Sequence, residues 1–171
     1  IQSIVGLTPL FAVSTIQKKV LDKLGDFKKR IAWFENYRKK KGKFWPNEER
    51  IDGDQMLLSL VPKERLEYLL DRILVEEGFL SEGGIRALSK YHENNPYSVT
   101  LDGHPYTIRY DPGDSTSDMF GGNSNWRGPV WMPINFLIIQ SIRKYGEFYG
   151  DSLLVEFPKA SGSKINLCQV A

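Results

Sequence analysis

Phe120-Gly-Gly-Asn-Ser-Asn-Trp-Arg-Gly-Pro-Val-Trp-Met-Pro-Ile-Asn135 has a composition that packing alone does not ask for. A Gly-Gly pair, three asparagines, two tryptophans, an arginine and a Gly-Pro pair stand directly before an apolar run from Pro133 to Tyr149. In that run Ile134, Leu137, Ile138, Ser141, Ile142 and Tyr145 fall on one side at helical spacing, which predicts the clearest helix of the chain. Paired glycine relaxes the backbone, asparagine tolerates unusual dihedrals while offering a donor and an acceptor, and Trp with Arg supplies flat faces and fixed forks of donors. Those groups suit a ligand rich in hydroxyls, held in its ring plane by polar forks and on its C–H faces by aromatic rings. The alternative at this point is a packed loop whose Trp side chains plug a core.

Outward from this stretch, helical periodicity dominates. Ile4, Leu7, Leu10 and Phe11 are apolar at helix spacing, with Pro9 confined to a first turn or breaking the run. Ser14 or Thr15 is expected to cap a helix carrying Ile16, Val20, Leu21 and Leu24, closed by Gly25. The next helix is expected from Asp26, with Phe27, Ile31, Trp33, Phe34 and Tyr37 as its apolar stripe and the cations Arg38 to Lys41 at its negative end. Residues 43 to 55 read as a polar loop. Pro62 opens a further helix whose face is Leu66, Leu69, Leu70, Ile73 and Leu74, ending at Gly78, and residues 79 to 92 read as an irregular loop with one short helical turn. After Pro96 the period becomes alternating: Tyr97 to Leu101 and Tyr106 to Tyr110 flank Asp102-Gly103, a two-residue hairpin signal.

Composition narrows the function classes. With 171 residues, 41% hydrophobic and 26% charged, the chain is ordinary for a globular domain. Twenty-three Lys and Arg against 21 Asp and Glu leave a net charge of +2, which calls for neither nucleic acid nor an anionic membrane. No stretch approaches the roughly 20 apolar residues that a membrane span needs. The single cysteine, Cys168, rules out an internal disulfide and fits a reducing, cytoplasmic setting; with only His92 and His104, a Cys/His zinc site cannot be assembled, and no cofactor or metal is implied. The chain begins at Ile1 and stops at Ala171 just after a fresh apolar pattern, so both ends read as cuts through a larger protein, and residues 1–171 as one partial domain.

Four segments in order support a resemblance. Ile4-Val-Gly-Leu-Thr-Pro-Leu-Phe-Ala-Val13, Phe79-Leu-Ser-x-x-Gly-Ile-Arg-x-Leu-Ser89, Gly121 to Leu137 and Tyr149-Gly-Asp151 together resemble glycoside hydrolase family 63, in particular its prokaryotic glucosidase-like members. Asn125-Trp-Arg-Gly-Pro-Val-Trp131 is the specific block. The resemblance implies a mainly α fold, part of an (α/α)6 toroid, here with a small β-hairpin around 97–110. It also implies an inverting α-glucosidase-like hydrolase, in which one carboxylic acid protonates the leaving oxygen and a second carboxylate activates water on the opposite face. Neither carboxylate matches a position of this chain: Glu82, Asp114 and Asp118 lie in loops and read as solvated or turn-stabilising charges. The chain alone is therefore expected to be inactive.

The positions that match suggest substrate-binding roles. Arg127 can fork onto paired hydroxyls or orient a carboxylate; Trp126 and Trp131 are stacking candidates; Asn123 and Asn125 can bond sugar or hold the loop; Arg86, after two glycines, can point into the same crater. The partner expected is a glucose-containing oligosaccharide. The competing expectation is a non-catalytic carbohydrate-binding or helical assembly module, self-associating through uncovered helix faces.

Overall fold

The computed structural model describes residues 1–42, 51–113, 116 and 129–171. Val13-Ser-Thr-Ile16 marks the first departure from an all-helical chain. Its β-branched side chains favour an extended backbone, and Val13–Gln17 (β1) pairs antiparallel with Gln55–Ser59 (β3), Val13 opposite Ser59 and Gln17 opposite Gln55. The short strand Ile51–Asp52 (β2) adds to the other edge of β3. The helix expected from Ser14 or Thr15 is thus a strand, and only Lys18–Leu21 (α1) turns helical. The apolar spacing of Ile16, Val20, Leu21 and Leu24 is a weak helical signal beside a partner strand some forty residues away.

The preceding stretch is helical, but tighter than an α-helix. Ile4–Phe11 forms a 3₁₀-helix, and Ile4, Leu7 and Leu10, three apart, lie on one buried side as a three-residue turn requires. Gly25–Lys40 (α2) runs as its sequence predicts, yet none of its residues is buried. Lys63–Ile73 (α3) follows Pro62, whose extended backbone and missing N–H suit a helix start, and it buries Leu66, Leu70 and Ile73. Leu80–Ser81 (β4) and Gly84–Ile85 (β5) form a two-residue ladder inside what reads as an irregular loop, followed by a 3₁₀ turn at Lys90–Glu93.

The hairpin does form: Tyr97–Leu101 (β6) pairs with His104–Ile108 (β7). Asp102 at φ 51° and Gly103 at φ 77° supply the two left-handed positions of its turn. Pro105 is accommodated because a two-stranded ribbon leaves an outer edge where no N–H is needed. Met132–Tyr149 (α4) is the long helix expected from Pro133. Beyond it, a second ribbon, Leu154–Glu156 (β8) with Lys164–Asn166 (β9), leads into Leu167–Val170 (α5), capped by reciprocal bonds between Asn166 and Gln169.

This architecture overturns the toroid. Among the described residues the fold is mixed, one three-stranded and three two-stranded antiparallel sheets set among the helices, with no ring of helical hairpins. Helical spacing in the apolar residues was real, but several such residues serve 3₁₀ turns or strand faces instead. The core lies where α3 and α4 meet the 3₁₀-helix and β3: Leu7, Leu10, Leu57, Leu66, Leu70, Ile138, Ile142 and Tyr145 are buried together. Tyr145 keeps its hydroxyl satisfied in that core through a 2.6 Å hydrogen bond with the Ser59 hydroxyl. Among the described residues no helix is long and apolar enough to cross a membrane.

Gly146 is where α4 touches α5: a Cβ there would fall 2.6 Å from the Cys168 amide nitrogen and 2.7 Å from its Sγ. Alanine is normally the better helix former, so the two effects oppose. Gly146→Ala is expected to lower stability by about 1–3 kcal/mol, the usual cost of overpacking. Chemical denaturation reads this directly, and a gain in stability would show that α5 does not dock on α4.

Candidate functional site

Asn135 sits in the first turn of α4, where its side chain can look back along the chain rather than compete with the helix ladder. It is buried, its Oδ1 accepts from the Ile85 N–H at 2.6 Å, and its Nδ2 donates to the Ile85 carbonyl at 2.9 Å and to the Trp131 carbonyl at 3.1 Å. The amide therefore completes the free edge of β5 as a short strand would. Gly84 makes the approach possible: its φ is +126°, and a Cβ would stand 2.8 Å from Asn135 Oδ1. Two residues beyond Ile85, the Ala87 N–H donates to the Pro129 carbonyl at 2.8 Å.

The N-terminal segment joins the same place. The Ile4 N–H donates to the Ala87 carbonyl at 2.9 Å, and the Ser89 N–H donates to the Gln2 carbonyl at 3.0 Å. His92, buried, accepts the Gln2 N–H on Nε2 at 2.7 Å, which places its proton on Nδ1, 2.7 Å from the Asn95 carbonyl. Its carbonyl in turn accepts the Tyr110 N–H. Residues 2–4, 85–92, 110 and 129–135 thus form one backbone junction, assembled from stretches far apart in the chain.

Asp111 closes that junction on the hairpin side. Its carboxylate, only 8% exposed, accepts from the Thr116 hydroxyl at 2.7 Å, from the Thr116 N–H at 3.0 Å and from Arg109 Nε at 2.8 Å. The Thr116 bonds, followed by the Arg109 charge, hold this carboxyl below the usual carboxylate range against the opposing effect of burial.

Of the six substrate-binding candidates from the sequence, two, Arg86 and Trp131, fall within the described structure. Arg86 is half-buried; its Nη1 donates to the Glu76 carbonyl at 2.8 Å and to the Leu80 carbonyl, and its guanidinium lies 5.7 Å from the centre of the Tyr110 ring. It ties the β4–β5 turn to the end of the hairpin. Trp131 is the half-buried residue preceding α4, and its carbonyl receives both Asn135 donors. Asn123, Asn125, Trp126 and Arg127 lie outside the described residues, as do Asp114 and Asp118; Glu82 is exposed. Sequence reasoning passed over Asn135, Asp111 and His92 as organisers. An asparagine opening an apolar helix was the one available signal, since a buried amide needs partners.

Comparison with known proteins adds a relative rather than a function. The chain is 45% identical, over an aligned span of 173 positions covering all of it, to uncharacterized protein YMR196W of Saccharomyces cerevisiae. It spans 16% of that protein's length. No family model matches the chain. No solved structure matches it.

Two outcomes follow from the junction. Asn135→Ala strands the buried Ile85 N–H and carbonyl and is expected to cost about 2–4 kcal/mol, more than a neutral surface hydrogen bond is worth; denaturant unfolding showing under 0.5 kcal/mol would remove Asn135 from its central place. For Asp111, a lowered folded pKa means that its contribution is present above the unfolded value of about 3.9 and is lost as pH falls through the folded one. Carboxyl NMR titration should show Asp111 ionised below the pH at which exposed aspartates protonate, and Asp111→Asn should flatten the acid limb of the stability profile. An ordinary titration of Asp111 would contradict the bonding described.

Proposed function

We propose that the chain forms part of the sugar-binding wall of a glycosidase-like protein, contributing Asn123, Asn125, Trp126 and Arg127 to hydroxyl and ring-face contacts with a glucose-containing oligosaccharide. The observation that carries this reading is the junction. Three of the segments on which the resemblance to family 63 rests, around Ile4, around Arg86 and around Trp131 to Asn135, are bonded to one another through Ala87 and Ile85. Motif segments that share a site should converge in this way, while independent surface loops need not.

The buried carboxylate of the described junction, Asp111, is occupied by Thr116 and Arg109, and Glu82, exposed on the β4–β5 turn, matches no catalytic position of the resemblance. The chain is accordingly read as a binding contributor, with the inverting acid/base pair belonging to other residues of the whole protein. Titration calorimetry with a glucose-terminated α-linked oligosaccharide should show binding that weakens roughly tenfold, about 1.4 kcal/mol, in Trp126→Ala and in Arg127→Ala. Absence of binding, or binding indifferent to both substitutions, would defeat the proposal.

The assembly reading draws on a separate observation. Met132 and Phe136, 63% and 61% exposed, fall with Ile139 along the outer side of α4 at helical spacing. A helix apolar on both sides is normally covered on both sides. The isolated chain is expected to self-associate at micromolar concentration, and Phe136→Glu to suppress it; a monodisperse monomer in sedimentation velocity would argue against this.

A further inference from the structure

Residues 18–41 concentrate charge that the chain as a whole conceals. They carry ten Lys and Arg against three Asp and Glu, leaving 13 against 18 for the rest. Helix α2 lies in this region with all its residues at least partly exposed, Trp33 at 66% and stacked on Tyr37 with ring centres 5.6 Å apart. Between α2 and β3 runs a groove of about 390 Å³ walled by Phe27, Ile31, Phe34, Met56 and Leu58. Arg30 and Glu35 border it.

We propose that this groove docks an acidic segment of a protein, which lays an aliphatic or aromatic anchor between α2 and β3 and sets a carboxylate against Arg30. The charge of the surrounding surface complements such a segment and would hasten its encounter. The mode is that of an apolar anchor in a groove between a helix and a strand.

Other occupants fit less well. A helix that lies on a bilayer keeps its cations on the face away from the lipid. Here the cations share the apolar side: Arg38 stands over the Phe34 ring at 5.9 Å, Lys41 over the Tyr37 ring at 6.0 Å, and Arg30 borders the groove itself. A nucleic-acid strand stacks its bases on aromatic platforms beside cations; here the aromatic walls Phe27 and Phe34 alternate with Ile31, Met56 and Leu58, and a carboxylate, Glu35, stands at the border where a phosphate would be repelled. A symmetric pairing of two copies through the same face would bring like charges together.

The test uses the whole chain and fluorescence anisotropy with a labelled helical peptide bearing leucines along one face and glutamates elsewhere. Its twin with lysines for glutamates, phosphatidylserine-containing vesicles and single-stranded RNA serve as competing probes. Micromolar binding of the acidic peptide is expected, weakening as salt rises and falling roughly tenfold in Arg30→Glu and in Phe27→Ala. Both side chains are exposed, so circular dichroism and thermal unfolding of the two variants should match the parent chain. No binding of the acidic peptide, equal binding of the twin, indifference to both substitutions, or tighter binding of vesicles or RNA would each overturn the proposal.

Discussion

A buried amide that replaces a missing strand is the constraint on which the candidate site depends. Ile85 sits on a two-residue ladder that cannot satisfy its own outer edge, and Asn135 supplies both a donor and an acceptor to it from the first turn of α4. Because α4 is fixed in the core by Ile138, Ile142 and Tyr145, the position of Asn135 is set by hydrophobic packing rather than by the loop it organises. The loop inherits the rigidity of the helix. Gly84 is required by the same geometry, since neither its φ of +126° nor its distance to Asn135 admits a side chain without strain.

From that contact the arrangement spreads through the backbone. Ala87 links to Pro129 on one side and to Ile4 on the other, Ser89 to Gln2, and His92 to both Gln2 and Tyr110. Each bond joins segments that could not find one another by local propensity, so the junction forms only when the long-range packing of the 3₁₀-helix and α4 has brought them close. Buried polar groups in such a network stabilise the native arrangement chiefly by penalising every alternative that leaves them unpaired. Asp111 extends the principle to the hairpin, where one carboxylate gathers Thr116 and Arg109.

How much of this could be read from the residues depends on the range of the interaction. Alpha helices with strong periodic faces were legible: α3 from Leu66, Leu70 and Ile73, α4 from Ile138, Ile142 and Tyr145. So was the hairpin, because Asp102-Gly103 carries its turn chemistry locally. The strand pairing of β1 with β3 was not, since Ile16 and Val20 are also compatible with a helix and only a distant partner, Met56 opposite Ile16, decides between them. The toroid expectation failed for that reason: spacing alone does not tell a three-residue turn at Ile4, Leu7 and Leu10 or a strand at Ile16 from a wall of α-helices. In the site, residues noticed for their chemistry and residues that organise it proved different. Arg86 serves carbonyls and the Tyr110 ring, while Asn135, plain in sequence, holds the segments together.

The most direct measurement is native-state hydrogen exchange at the Ile85 and Ala87 amides. If Asn135 and Pro129 receive these two donors as described, both amides should exchange only through global unfolding, with the same opening free energy as the Ile142 amide in the middle of α4. Fast exchange at Ile85 and Ala87 while Ile142 stays protected would show that the junction opens on its own, and would contradict a site whose geometry is set by the helix behind it.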